Sequence, residues 1–185
     1  MSRPTSPESG ILKAAHFAAD KHRDQRRNDR ERSPYINHPI AVAEILTGVG
    51  GITDLDSIQA ALLHDTVEDT NTTPEQLAEH FGDEVMRLVM EVTDDQDLKK
   101  DERKRLQIEH ARDLSAKAKE IKMADKIANV TDVMDSPPED WDEARRLEYL
   151  DWGEKVVAGC RDANQRLAER FDELVTEARS AVMDP

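Results

Sequence analysis

Apolar residues recur three and four positions apart along nearly the whole chain, the spacing that lines one face of an α-helix, and no convincing strand pattern interrupts them. Ile11, Leu12, Ala15, Phe17, Ala18 and Ala19 predict a first amphipathic helix over residues 8–24. A charged stretch follows, and residues 33–40 read as a loop into a helix from Asn37, with Asn37 as N-cap and Pro39 in the first turn. Ile40, Val42, Ala43, Ile45 and Leu46 continue that helix until the glycines at 48, 50 and 51 stop it. Asp54 or Asp56 opens the next, which carries Ile58, Ala61 and Leu62 into His64-Asp65. If it runs on, His64 lies over Glu68 and Asp65 over Asp69. Thr73, Pro74 and Gln76 predict a capping box for a helix ending near Gly82, and Val85, Leu88, Val89 and Val92 mark another ending at Thr93. A strongly polar helix over 98–112, an apolar one over 115–133, a break at Ser136-Pro137-Pro138, and helices over 139–158 and 162–182 complete the chain. The fold class is all-α, a bundle of about eight or nine helices.

Composition sharpens this picture. A length of 185 residues fits one domain, expected over residues 8–182 behind a short disordered tail, residues 1–7. Hydrophobic residues make up 37% and charged residues 36%, against about 45–50% and 25% in ordinary soluble domains, so the helices carry a heavily charged surface. With three Phe, two Tyr and two Trp, the core must rest on aliphatic side chains and methionine. The net charge of −14 excludes general binding to nucleic acid or an anionic membrane, so an anionic ligand has to meet a local basic patch. Two such patches exist. Arg23, Arg26, Arg27 and Arg30 fall just before His38, and Lys99, Lys100, Arg103, Lys104 and Arg105 lie on the polar helix; each is either a solvated surface or a phosphate-facing rim. The single Cys160 permits no intramolecular disulfide and reads as a structural thiol in a reducing cytoplasm. No run of 18 apolar residues and no signal-peptide pattern occurs, which predicts a soluble intracellular protein.

The chemistry concentrates in a few places. Four apolar residues, 60–63, lead straight into His64-Asp65, and Glu68-Asp69 follow within a turn. Such groups beside an apolar run are costly to desolvate unless they bind a metal, pair with cations or face a water-filled cleft. Lys122, Asp125, Lys126 and Asn129 form a polar stripe inside the apolar segment 121–130, which faces either solvent or a cavity. Together His38, His64, Asp65 and Asp125 offer two imidazoles and two carboxylates from three separated helices. That mixed nitrogen and oxygen set suits manganese or iron and, less decisively, zinc. Metal-assisted hydrolysis needs such a set, with Glu68 and Asp69 placed to steer or deprotonate water or to protonate a leaving oxygen.

The same residues carry a resemblance. The order H…HD…D is similar to that of the HD-domain phosphohydrolases, and residues 35–43, 61–69 and 124–129 resemble the hydrolase domain of RelA/SpoT homologues, most of all single-domain small alarmone hydrolases. The likeness runs from the first helix to about Trp152. It implies a manganese-dependent removal of the 3′-pyrophosphate from guanosine 3′,5′-bis(diphosphate) and its pentaphosphate relative, with His38, His64, Asp65 and Asp125 as metal ligands and Glu68 and Asp69 as the catalytic pair. It further implies that Arg27 stacks on the purine, that Asn129 and Tyr149 contact the nucleoside, and that Lys126 and Arg145 stand near phosphate or the site wall. The family often has lysine where this chain has Asn28, so the base and phosphate contacts of that loop are this chain's own. Two other readings share the scaffold: a phosphatase for NADPH or another 2′- or 3′-phosphorylated nucleotide, and a non-catalytic nucleotide sensor, whose signature would be a lost ligand.

Overall fold

A computed structural model describes residues 6–183, and every regular element in it is helical. The chain runs through α1 (Pro7–Lys21), α2 (Asn37–Gly48), α3 (Leu55–Leu63), α4 (Thr66–Asp69), α5 (Pro74–Phe81), α6 (Asp83–Val92), α7 (Lys100–His110), a 3₁₀ turn (Ala111–Asp113), α8 (Ala116–Asp135), α9 (Glu143–Ala158) and α10 (Gln165–Met183). Nine of these α-helices have eight residues or more, and α4 is a single turn. Residues 1–5 of the expected tail lie outside the described residues. Ser6 and Pro7 already belong to α1, because the Ser6 hydroxyl accepts the Ser9 N–H and proline suits the first helical position.

Local signals set most boundaries. Thr73 and Gln76 form the predicted capping box on α5, and Gly82 joins α5 to α6 at φ +97°, a backbone state that an L side chain adopts only under strain. Asp54 caps α3 through Ser57, Ser115 caps α8 through Ala118, and Asp142 caps α9 through Arg145. Asn37 does not cap α2. It is the first helical residue, Ile36 holds the cap position, and no side chain bonds there. The first helix also stops at Lys21, since His22, Gln25, Arg27 and Tyr35 use their backbones in turns and in an isolated antiparallel bridge between Arg26 and Pro34.

The largest departure from the sequence pattern is a break between α3 and α4. The helix does not continue through Asp65: His64 caps the end of α3 and Asp65 precedes α4, so His64 and Glu68 fall in different helices, while the Asp69 N–H still donates to the Asp65 carbonyl at 2.9 Å across the single turn of α4. Thr66, fully buried, turns its hydroxyl onto the Leu63 carbonyl at 2.6 Å and so satisfies an acceptor that the break leaves without a helical partner.

The 20-residue α8 runs through the middle, with α2, α3, α6, α9 and α10 packed around it. Ile121, Met123, Ala124 and Val130 of α8 are fully buried against Leu46, Leu63, Leu88, Leu150, Phe171 and Leu174. Burying such side chains contributes roughly 1.5–3 kcal/mol each. Because α8 is surrounded, Lys122, Asp125 and Lys126 of its polar stripe are buried, and Asn129 is half-buried beside them. Cys160 is buried too, and burial pushes its thiol up to about 11. Among the described residues no helix is long and apolar enough to cross a membrane.

Candidate metal centre and active site

Three structural features bring the four donor residues to one point: the start of α2, the break after α3 and the middle of α8. His38 is fixed in the first turn of α2 by the following Pro39, and both are buried. His38 Nε2 lies 3.2 Å from Asp125 Oδ1 and 3.7 Å from Asp65 Oδ2, while His64 Nε2 lies 3.1 Å from Asp65 Oδ2 and 3.7 Å from Asp125 Oδ1. His38, His64 and Asp65 thus form a tight cluster with the geometry to hold an ion, and Asp125 closes it from α8.

The donor chemistry fits a divalent cation. His64 Nδ1 sits 2.8 Å from the Ala61 carbonyl, which only accepts, so Nδ1 carries a proton and Nε2 is the end aimed into the cluster. That Nε2 is buried and makes no hydrogen bond despite two nearby carboxylates, and a cation between them would use it. The His38 ring lacks such a tie at Nδ1 and is held by neighbouring rings, His64 at 5.3 Å and Tyr35 at 6.0 Å between centroids. Each carboxylate is braced from outside. Tyr35 donates its hydroxyl to Asp65 at 2.7 Å, Lys126 donates to Asp125 at 3.0 Å, and the Asn129 amide donates to Asp125 at 2.6 Å.

Electrostatics follow from this crowding. Burial alone would lower the His64 pKa; the Asp65 and Asp125 carboxylates outweigh it and lift it to about 10. Burial would likewise raise Asp125, but Lys126 and the two imidazoles hold it well below the carboxylate range. Asp65 is lowered in the same way by His64 and His38. Glu68 behaves oppositely. Burial, with Asp94 and Asp65 nearby, outweighs the hydrogen bond from the Asp94 backbone and pushes it up to about 7. Its two oxygens accept the Asp94 backbone N–H at 2.9 Å and the Gln96 amide at 2.6 Å. Asp69 is exposed, and its carboxylate accepts from the Gln25 amide at 2.8 Å.

Two depressions flank the cluster and share Trp141 and Tyr149 as a common wall. One, of about 510 Å³, is lined by Arg27, Asn28, Tyr35, Asn129 and Asp132. Arg27 is half-inserted there, paired with Asp132 and lying 5.5 Å over the Tyr35 ring. The other, of about 370 Å³, is lined by Glu68, Lys100, Arg103, Lys104, Arg145 and Trp152. The polar helix α7 therefore has no buried residue, yet it turns basic side chains toward the site. Arg145 packs 4.9 Å over Trp141 and pairs with Asp140. Lys126 opens into neither depression; it is buried between Asp125 and the Trp152 ring, 4.4 Å from the ring centre.

The structure thus gathers His38, His64, Asp65 and Asp125, sets Glu68 in the wall of one depression together with Arg145, leaves Asp69 exposed at the end of α4, and lines the other depression with Arg27, Asn28 and Asn129, Tyr149 standing between the two. Sequence reasoning gave no role to Tyr35, His22, Gln25, Gln96 or Trp152. Tyr35 had a signal, since it opens the segment that carries His38, but the others reach the site only through space.

Comparison with known proteins agrees with this geometry. The HD-domain family model matches residues 14–150. The chain is 54% identical to the guanosine-3′,5′-bis(diphosphate) 3′-pyrophosphohydrolase MESH1 of Xenopus tropicalis over 93% of this chain and 96% of that protein. The human protein of the same name is 54% identical over 91% of this chain and 94% of its own. A solved structure, described as a metazoan orthologue of SpoT that hydrolyses ppGpp, superposes with a TM-score of 0.89 at 44% identity, covering 96% of this chain and 98% of that one.

Proposed function

The chain belongs to the HD-domain family, and on that premise we propose that it is a metal-dependent 3′-pyrophosphohydrolase of guanosine 3′,5′-bis(diphosphate) and its pentaphosphate relative, working on a small soluble nucleotide in a reducing cytoplasm. The observation that carries the reading is the convergence of the His38 and His64 Nε2 atoms on the Asp65 and Asp125 carboxylates, each imidazole–carboxylate pair 3.1 to 3.7 Å apart, beside a glutamate poised near neutrality. Relatives that share half of its residues bear the name of that activity. Residues 8–182 act as one hydrolase domain in this reading.

His38, His64, Asp65 and Asp125 would hold the cation, and manganese fits their mixed donor set, with iron or zinc as substitutes. A divalent ion there polarises a phosphoryl oxygen and makes water more acidic. Glu68 has the pKa of a base that works near pH 7, and a carboxylate oxygen of Glu68 takes the proton as water attacks the phosphorus of the 3′-pyrophosphate. The bond between that phosphorus and the 3′ oxygen breaks, the 3′ oxygen takes up the proton that Glu68 received from the water, and GDP and pyrophosphate result. Asp69 orients the water. Arg27, Asn28, Asn129 and Tyr149 line the place for the nucleoside, where the free face of the Arg27 guanidinium can stack on a purine. Lys100, Lys104 and Arg145 line the second depression and would meet the remaining phosphates, supplying locally the positive charge that the chain lacks overall. Lys126 serves the site as the cation that holds Asp125 ionised.

The test is a nucleotide panel. Manganese-loaded protein is expected to show its highest kcat/KM on the tetraphosphate, above NADPH and other 2′- or 3′-phosphorylated nucleotides. Greater efficiency on NADPH would reassign the substrate while keeping the metal centre, and no turnover of any nucleotide with manganese, iron or zinc would refute the hydrolase itself.

A further inference from the structure

Asp69 is the one member of the acidic pair that stands exposed, and an exposed carboxylate has free rotamers unless something fixes it. The partner the structure gives it is Gln25, whose Nε2 donates to Asp69 Oδ2 at 2.8 Å from the turn after α1. A carboxylate only accepts, so the Gln25 amide nitrogen must face Asp69 and its oxygen must face the other way. That oxygen lies 2.7 Å from His22 Nδ1, which must therefore carry the proton. The opposite ring nitrogen, His22 Nε2, is buried without a partner, so among the described residues the Gln25 oxygen is the ring's one side-chain hydrogen-bond partner. His22 itself is 2% exposed and lies flat on Tyr35, with centroids 4.8 Å apart and the planes inclined by 30°. Tyr35 in turn donates its hydroxyl to Asp65.

We propose that His22 and Gln25 are positioning residues of the active site: a histidine fixed in its Nδ1–H form orients the Gln25 amide, and the amide holds Asp69 toward the reacting water. The device is a bracket with two arms from one end of α1. One arm passes through Gln25 to Asp69 at the end of α4, and the other passes from the His22 ring through Tyr35 to Asp65 at its start. Neither residue touches substrate. The backbone reinforces the bracket, since the Gln25 carbonyl accepts the Tyr35 N–H and the Gln25 N–H donates to the His22 carbonyl. The inference rests on the reading of Asp69 as a catalytic residue.

A double-mutant comparison tests it. Gln25→Met keeps the shape and removes the amide. It is expected to lower kcat on guanosine 3′,5′-bis(diphosphate) about tenfold or more, with KM and bound manganese unchanged to within about twofold, as loss of an outer partner of a reacting group does. Combined with Asp69→Asn, it should cost nothing beyond Asp69→Asn alone, because the two act as one unit. His22→Asn, which can offer an amide N–H where Nδ1 stood, should retain more kcat than His22→Phe, which keeps only the ring over Tyr35. The midpoint shift on adding manganese should be the same in all variants. If Asp69→Asn is slow but Gln25→Met turns over at the wild-type rate, or if the two losses multiply, the bracket is overturned and the role of Asp69 stands. Loss of bound manganese in Gln25→Met would also overturn it, in favour of a purely structural tie. Asp69→Asn at the wild-type kcat would overturn the reading of Asp69 and the bracket with it.

Discussion

Glu68 shows most clearly what a single side chain gains from its surroundings. Burial, helped by the neighbouring Asp94, Asp65 and Asp69 carboxylates, lifts its pKa from the ordinary 4.5 to about 7. As a base it loses competence when protonated, so kcat should fall on the acid side of about pH 7, and Glu68→Gln should lower kcat by about 10²–10⁴ while leaving bound manganese unchanged by elemental analysis. The same shift acts on folding. A carboxyl whose folded pKa is raised contributes stability that is fully present below 4.5 and is lost as pH rises through about 7. Glu68→Gln cannot ionise, so its denaturation midpoint in urea, relative to wild type in metal-free protein, should improve between pH 5 and pH 8; a constant difference would mean that Glu68 is not desolvated in solution. At this scale the sequence showed well which charged and imidazole side chains would cluster, because His64-Asp65 and Glu68-Asp69 stand out beside an apolar run. It could not show Gln25 or His22. Gln25 meets Asp69 across 44 residues, and His22 reaches the pair only through Gln25, so neither leaves a spacing to read.

At the scale of elements, helical periodicity located the helices and missed the break between α3 and α4. Periodicity reports which face is apolar, and the residues on both sides of the break are apolar or buried, so the pattern runs through it. Side-chain ties to carbonyls accompany the end of α3: His64 Nδ1 on Ala61 and Thr66 on Leu63. Thr66→Val keeps the volume and removes the hydroxyl, leaving the buried Leu63 carbonyl unpaired. It should cost about 1–3 kcal/mol in urea denaturation and, by loosening the segment that carries Asp65 and Glu68, should lower kcat as well. Thr73→Ala removes the capping box of α5 and should cost about 1 kcal/mol with kcat unchanged, since Thr73 takes no part in the site. The polar stripe of α8 was ambiguous for a related reason. A stripe reads the same whether solvent or a cavity faces it, and the packing of five helices around α8 decides for the cavity.

For the whole molecule, the order of the helices was legible from the sequence, but which helix meets which was not. The four residues proposed to hold the cation come from α2, the α3–α4 break and α8, elements far apart in the chain, so a cation bound there would tie those elements together. Manganese at about 100 times its dissociation constant should add about 2.7 kcal/mol of stability, which for a chain of this size raises the thermal midpoint by about 5–10 °C. Asp65→Ala should abolish that rise. The net charge of −14 makes the two basic-lined depressions the favourable places for an anionic nucleotide, and the composition alone could not locate them. The most direct measurement of the central claim resolves the products formed from guanosine 3′,5′-bis(diphosphate) by wild type and Asp65→Ala, each with manganese and with a chelator. The account predicts GDP and pyrophosphate in equal amounts from manganese-loaded wild type alone. Turnover by Asp65→Ala or in the chelator, or release of inorganic phosphate in place of pyrophosphate, would contradict it.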